Sequence, residues 1–100
     1  MPEASTASII DALADSVPLR GFIRDGRIAT MPVKRSRRLM LLGEVAQAFE
    51  PGVRYPERDV NQVLGAMFSD YAALRRYLVD EELLSRADGE YWRTGGPVHL

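Results

Sequence analysis

A tight β-hairpin near the C-terminal end is the best-defined element of this sequence. Asp88-Gly89 separates two four-residue segments, 84–87 and 90–93, and this dipeptide in that setting is the strongest short-range signal for a two-residue hairpin turn. Because successive side chains of a strand point to opposite faces, one of the neighbours Tyr91 and Trp92 should face the core. The sequence therefore predicts a hairpin over residues 84–93.

Three segments ahead of the hairpin have apolar residues at the three- and four-residue spacing of amphipathic helices. Ser36 and Pro56 stand where the first two helices are expected to begin, and Ser69 and Asp70 are both suitable caps for the third. A short link through Val53 and Tyr55 joins the first helix to the second, and the third is expected over residues 70–82. The stripes consist of Leu39, Leu42, Ala46 and Phe49, then Val60, Val63, Leu64, Met67 and Phe68, then Tyr71, Leu74, Tyr77 and Leu78.

The N-terminal third of the chain contains two further elements. Residues 5–17 have an apolar stripe at helical spacing, which predicts a short amphipathic helix that ends before Pro18. Its members are Ile9, Ile10, Leu13 and Val17. Within residues 22–32, the turn signal Asp25-Gly26 and the alternation after it predict a short strand.

The order of these elements predicts the fold. Strand, helix, helix-turn-helix and hairpin are the parts of a winged helix. We expect the α+β class: a winged helix-turn-helix with a three-helix core, a short N-terminal strand, a C-terminal β-hairpin wing and an extra N-terminal helix. One hundred residues suit one domain with one modest core. We assign residues 1–20 to the N-terminal helical extension, 21–94 to the winged-helix domain and 95–100 to a flexible tail.

The available side chains argue against catalysis. The chain has no cysteine, and its one histidine, His99, lies in a glycine- and proline-rich end where a positioned general base is not expected. No metal-binding or phosphate-loop motif occurs. We therefore expect no enzyme, no metal and no cofactor. No apolar run is long enough for a membrane span, and the lack of cysteine fits a reducing compartment, so we expect a cytoplasmic protein without a membrane partner.

Several short motifs occur in a fixed order between residues 22 and 93. They are Asp25-Gly-Arg-Ile28, Pro32, Tyr55-Pro-Glu-Arg-Asp-Val-Asn61, Asp70-Tyr71, Leu74-Arg-Arg-Tyr-Leu-Val-Asp80 and Gly89-Glu-Tyr91. In this order they resemble the bacterial domain of unknown function numbered 2087. Members of that family resemble winged helices and often follow a separate helix-turn-helix domain in proteins named as regulators, so the resemblance implies a role in transcription. Pro56 departs from the pattern, which has Thr or Ser as the cap of the second helix.

Charge is unevenly distributed along a chain whose formal net charge is −1. Residues 20–38 contain seven Arg or Lys and one acid, whereas residues 80–90 contain five acids and one Arg. Lys34, Arg35, Arg37 and Arg38 fall at the start of a helix, where the helix dipole disfavours cations. They either contact phosphate or form a solvated cluster partly paired with acids such as Glu44.

The other candidate cations lie on the third helix and beside the hairpin. In winged-helix DNA binders the third helix enters the major groove, where arginine can pair with guanine. Arg76 can instead pair with Asp80, and Arg75 with Asp70 or Asp59 inside the fold. Asn61 either donates to phosphate or bridges a turn or cap. The predicted DNA-binding set is Lys34, Arg35, Arg37, Arg38, Arg75, Arg76, Arg86 and Arg93.

Two functions fit these features. The first is a transcriptional regulator that binds double-stranded DNA, with helix 70–82 as recognition helix and hairpin 84–93 as wing. The second is a non-catalytic protein-interaction or dimerisation module on the same fold. The apolar stripe of residues 5–17 must be covered, so we also expect a homodimer, with packing onto the same chain as the alternative.

Overall fold

The computed structural model describes residues 5–96, which form four α-helices and two small antiparallel sheets. The α+β class is therefore confirmed. No helix in this part of the chain is long and apolar enough to cross a membrane. The helices are α1 (Thr6–Asp15), α2 (Arg35–Ala46), α3 (Glu57–Gly65) and α4 (Tyr71–Asp80), and the strands are β1 (Ile23–Arg24), β2 (Arg27–Ile28), β3 (Arg54–Pro56), β4 (Leu84–Ala87) and β5 (Glu90–Arg93).

The C-terminal hairpin is confirmed and belongs to a three-stranded sheet of order β3-β5-β4. Its turn residues Asp88 and Gly89 both have positive φ, 54° and 77°, as a two-residue turn between twisted strands requires. On the other edge of β5, β3 places Tyr55 opposite Tyr91. The sequence predicts only a link here, and that prediction is wrong, because three residues ending in proline are too few to produce an alternating pattern.

The strand predicted within residues 22–32 is a separate small hairpin of β1 and β2. The Ile28 amide donates to the Met67 carbonyl at 2.8 Å. The Arg27 guanidinium donates to the carbonyls of Gly65 and Ala66 at 2.9 and 3.3 Å. Carbonyls at the end of a helix lack partners within that helix. The small hairpin thus caps the end of α3 and does not join the three-stranded sheet.

The helix starts agree with the sequence at α4 and differ at α2. The Asp70 carboxylate accepts from the Ala73 amide at 3.1 Å, so Asp70, one of the two predicted caps, is the cap of α4. The cap of α2 is Lys34, whose side chain makes no capping bond, and the predicted cap Ser36 is wrong. The Arg38 amide donates to the Lys34 carbonyl at 3.0 Å, so the first helical turn already includes Ser36.

The helices and the hairpin enclose one hydrophobic core. Five of the predicted apolar positions of α3, α4 and the turn between them are fully buried: Val60, Leu64, Met67, Leu74 and Leu78. Val63, Phe68 and Tyr77 are partly buried, and Tyr71 is 41% exposed, so the predicted stripe is wrong at its first residue on α4. Among the hairpin aromatics, Tyr91 is buried, and Trp92 lies on the other face with the guanidinium of Arg54 4.2 Å from its ring centre. The predicted split of the two aromatics between faces is confirmed.

α1 buries its apolar stripe against its own chain. Ile9, Ile10 and Leu13 belong to the same core, where α1 contacts α2 and β1. Val17 lies beyond the end of α1 and is 72% exposed. Packing onto the same chain, the alternative to a dimer, is therefore what covers the stripe. A homodimer stays a prediction, and it needs a different surface.

The residues after β5 return to the turn that follows α4. The amides of Thr94 and Gly95 donate to the Leu83 carbonyl at 2.9 and 3.2 Å. The Thr94 hydroxyl also donates to the Glu82 carbonyl at 2.9 Å. Most of the predicted tail, residues 97–100 with His99, lies outside the described residues.

Candidate functional site

A concave groove lies between α4 and the hairpin of β4 and β5, and we call it the α4–hairpin groove. Its volume is about 430 Å³. It is lined by Ala72, Arg75, Arg76, Val79 and Asp80 from α4 and by Arg86 and Tyr91 from the hairpin. Three of the eight predicted DNA-binding residues therefore meet here.

The lining follows from the amphipathic character of α4. Leu74 and Leu78 lie four residues apart and are fully buried, which fixes the helix on the core. Arg76 and Asp80 have the same spacing and lie on the exposed side. Arg86 stands opposite Tyr91 in the β-ladder, so it shares the face of the sheet that turns toward α4.

Arg75 is held by protein groups from two other elements. Its Nη1 donates to Oδ1 of Asn61, and its Nε lies 3.9 Å from Oε1 of Glu57. The Tyr91 hydroxyl donates to the same Glu57 oxygen at 2.8 Å, and the Arg75 guanidinium lies 5.9 Å from the centre of the Tyr91 ring. These four side chains form a polar network that joins α3, α4 and β5. We call it the Arg75 network.

The partners of Arg75 differ from those that the sequence suggests. Asp70 caps α4 and Asp59 lies 3.8 Å from a neighbouring arginine, so neither is the partner of Arg75. The signal that identifies the actual partners is spacing, because Glu57 and Asn61 are four residues apart on α3 and share one face. The Asn61 side chain bridges α3 and α4, and within residues 5–96 it takes part in neither a helix cap nor a turn.

Arg76 and Arg86 have no acidic partner within residues 5–96. The predicted Arg76–Asp80 ion pair is not formed, although both side chains line the groove. No hydrogen bond engages either guanidinium in this part of the chain. Both residues are exposed. The α4–hairpin groove therefore presents two arginines that form no ion pair within the described residues, with the carboxylate of Asp80 on the same surface.

The basic start of α2 lies beside the acidic end of α4. Nη2 of Arg35 lies 2.9 Å from Oε2 of Glu81, the residue that ends α4. Cations oppose the dipole at a helix N-terminus and acids oppose it at a C-terminus, so this contact offsets two unfavourable arrangements. Glu44, the partner that the sequence suggests for the basic segment, accepts from Gln47 at 3.1 Å instead.

The other three cations of this segment have different surroundings. Arg38 is half-buried, donates to the Val33 carbonyl at 3.0 Å and lies 5.1 Å from the ring centre of Tyr77. Lys34 is exposed at the start of α2. Arg37 is also exposed and lines a shallow cavity formed with residues 17–22, on the side of α1. Only Lys34 and Arg37 thus leave their charge accessible.

Arg93 serves the fold at the opposite end of α2. Its Nη1 donates to the Phe49 carbonyl at 3.3 Å, and its Nε donates to the Gly95 carbonyl at 3.0 Å. The eight predicted residues therefore do not converge on one face. Arg75, Arg76 and Arg86 share the α4–hairpin groove, four others surround the start of α2, and Arg93 lies at the end of that helix.

A second cavity of about 500 Å³ opens between α1 and α2, and we call it the α1–α2 groove. Its lining is mainly apolar, and Met40 at its edge is 48% exposed. The lining residues are Ala12, Leu13, Ser16, Leu19, Leu39, Met40, Gly43, Glu44, Leu83 and Gly96. None of them belongs to the lining of the α4–hairpin groove.

Residues 27–93 match the family described as "Uncharacterized protein conserved in bacteria (DUF2087)". The match covers most of the chain, so the protein belongs to this family, as its motifs indicate. It begins at β2 and ends at β5, which leaves α1 outside it. No curated protein and no solved structure matches the chain.

Proposed function

We propose that this member of the DUF2087 family is a DNA-binding transcriptional regulator of the winged-helix type. The order α2-β3-α3-α4-β4-β5, with a sheet of order β3-β5-β4, supports this proposal. In such a fold α4 is the recognition helix in the major groove and the hairpin of β4 and β5 is the wing. The bacterial cytoplasm is the compartment that this function requires, and a chain without cysteine suits it.

The observation that carries the proposal is the charge in the α4–hairpin groove. Arg76 and Arg86 face it from the helix and from the wing, and neither has an acidic partner among the described residues. Arginines on both sides of one concave surface can contact the phosphates of a DNA backbone that passes between helix and wing. Arg76, on the exposed side of α4, can also reach a base edge in the major groove.

The remaining predicted residues contribute unequally to this proposed interface. Lys34 and Arg37 are exposed and can add non-specific phosphate contacts. Arg35 is committed to Glu81, and Arg38 and Arg93 donate to backbone carbonyls. We therefore expect substitution of Arg38 or Arg93 to act mainly on stability and substitution of Arg76 or Arg86 to act mainly on binding.

The test is fluorescence anisotropy with a mixed pool of labelled duplexes at several salt concentrations. Each lost phosphate contact should reduce the slope of log affinity against log salt by about 0.9, so Arg86→Ala should flatten the slope by this amount. If Arg76 reads a base, Arg76→Ala should lower the affinity for the preferred sequence by about 1–3 kcal/mol and have little effect on random duplex.

Arg24→Ala is the matched control, because Arg24 is exposed on β1, which belongs to the other sheet. It should leave the slope within about 0.3 of the wild-type value, since a single remote charge acts weakly at these salt concentrations. Absence of wild-type binding at low salt, even at tens of micromolar protein, would contradict the proposed function.

The second candidate is a protein-interaction or dimerisation module. The observation that favours it is the apolar α1–α2 groove, with Met40 exposed at its edge. Exposed apolar surface of this kind commonly marks a contact with another protein. This reading replaces the first if no duplex binds while the protein self-associates.

A further inference from the structure

The Arg75 network connects the three elements that define the α4–hairpin groove. Glu57 belongs to α3 and contacts both Arg75 of α4 and Tyr91 of β5 through one carboxylate oxygen. The amide of Glu57 also donates to the carbonyl of Gly89 in the hairpin turn at 2.9 Å. The hairpin is thus attached to α3 at two points, and α3 is attached to α4 through Arg75.

We infer that Arg75 is a positioning residue that sets the separation of Arg76 and Arg86 for one phosphodiester group of a DNA backbone. This inference rests on the proposed function. The Arg75 side chain is 20% exposed, and its guanidinium is already shared among Asn61, Glu57 and the Tyr91 ring. Arg75 is therefore less accessible to DNA than its exposed neighbour Arg76, whose guanidinium has no partner within residues 5–96.

The shape of the arginine side chain explains why this position needs it. The planar guanidinium reaches an amide oxygen with one nitrogen and a carboxylate with another, while its face lies toward an aromatic ring. A lysine ammonium is a point charge on a flexible stem and cannot hold all three groups at once. A hairpin held in place before binding loses less conformational freedom when DNA binds, which increases affinity without an added contact.

The first test measures amide hydrogen exchange at Glu57, whose donor contacts the hairpin turn. We compare it with exchange at Leu78, a fully buried position of α4 that reports on global unfolding. Tyr91→Phe and Arg75→Lys should each reduce the protection of Glu57 relative to Leu78 by about 2- to 10-fold, the range expected for loss of one hydrogen bond. Tyr55→Phe is the matched control, because its hydroxyl accepts from the Glu50 amide, and the ratio should not change.

The second test measures duplex affinity against salt for the same variants. Tyr91→Phe and Arg75→Lys should reduce affinity by about 2- to 10-fold at every salt concentration with an unchanged slope, because no phosphate contact is removed. Arg76→Ala should flatten the slope by about 0.9. The inference is overturned if Arg75→Lys keeps wild-type affinity and Arg75→Ala flattens the slope as Arg76→Ala does, since Arg75 then contacts phosphate itself.

The two tests separate failure of this inference from failure of the proposed function. Absence of wild-type DNA binding would reject the function, while the exchange ratio would still decide whether Arg75 and Tyr91 hold the hairpin. Unchanged Glu57 protection in both Arg75→Lys and Tyr91→Phe would overturn the positioning role even where DNA binds.

Discussion

Arg75 and Arg76 are chemically identical neighbours with different surroundings. One residue of an α-helix turns the side chain by about 100°, so the two guanidinium groups leave α4 in different directions although both side chains line the α4–hairpin groove. Arg75 points toward α3 and is held there by Asn61, whereas Arg76 is exposed beside the hairpin. The double arginine of the sequence therefore contains one residue that organises the fold and one that is free to bind.

The local sequence pattern predicts the exposed arginines of the candidate site but not the arginines that bind distant parts of the fold. The exposure of Arg76 follows from the apolar stripe of α4, and Arg86 lies beside a hairpin turn that the sequence predicts. The contact of Arg93 with the Phe49 carbonyl joins residues that are 44 positions apart. Backbone acceptors so distant in sequence leave no periodic signal, so the structural use of Arg93 cannot be read from its neighbours.

The helix cap at Asp70 provides a stability prediction at this scale. Asp70→Ala removes the bond from the Ala73 amide and leaves that donor without its partner at the start of α4. We expect the free energy of unfolding to fall by about 0.5–2 kcal/mol, measured by denaturant titration.

Ser69→Ala is the control for that prediction. Ser69 is adjacent and exposed, and its side chain makes no hydrogen bond within the described residues. Its substitution should change the free energy of unfolding by less than about 0.5 kcal/mol. Equal effects of the two substitutions would show that the Asp70 carboxylate does not cap α4.

At the scale of elements, the length of a helix or strand determines whether the sequence pattern predicts it. All four helices have at least two full turns, so their apolar stripes repeat often enough to be recognised. β1, β2 and β3 contain two or three residues each and have no room for a pattern. β3 is nevertheless the strand that connects α2 to the sheet, so the missing element is the one that places the hairpin beside the helices.

The turn of the hairpin gives a prediction at this scale. Gly89 has a φ of 77°, where a side chain conflicts with the backbone. Gly89→Ala should reduce the free energy of unfolding by about 1–2 kcal/mol, measured by denaturant titration. The strained turn should also lower the protection of the Glu57 amide, which donates to the Gly89 carbonyl.

Gly21→Ala is the matched control for the hairpin turn. An added methyl group at Gly21 meets nothing within 4 Å, and its φ is not in the left-handed region. The expected change in free energy of unfolding is below about 0.5 kcal/mol. If Gly89→Ala changes the free energy of unfolding no more than Gly21→Ala does, the stability of the hairpin does not depend on a glycine in its turn.

At the scale of the whole molecule, the two grooves are formed by different elements. The α4–hairpin groove carries unpaired arginines, and the α1–α2 groove is mainly apolar. They share no lining residue, so contact through one leaves the other accessible. If the proposed function holds, self-association through the α1–α2 groove would place two copies of α4 on one assembly, as two DNA half-sites require.

The last prediction concerns self-association through the α1–α2 groove. Isologous dimers are the commonest closed assemblies, and the exposed side chain of Met40 would lose contact with water in such an interface. Light scattering at high micromolar concentration should return twice the 11.2 kDa of one chain. Met40→Glu should return the mass of one chain, because a buried carboxylate without a partner opposes association. Val33→Glu makes a similar change at a 93% exposed position outside the groove and should leave the dimer intact. A wild-type mass of 11.2 kDa would exclude the dimer.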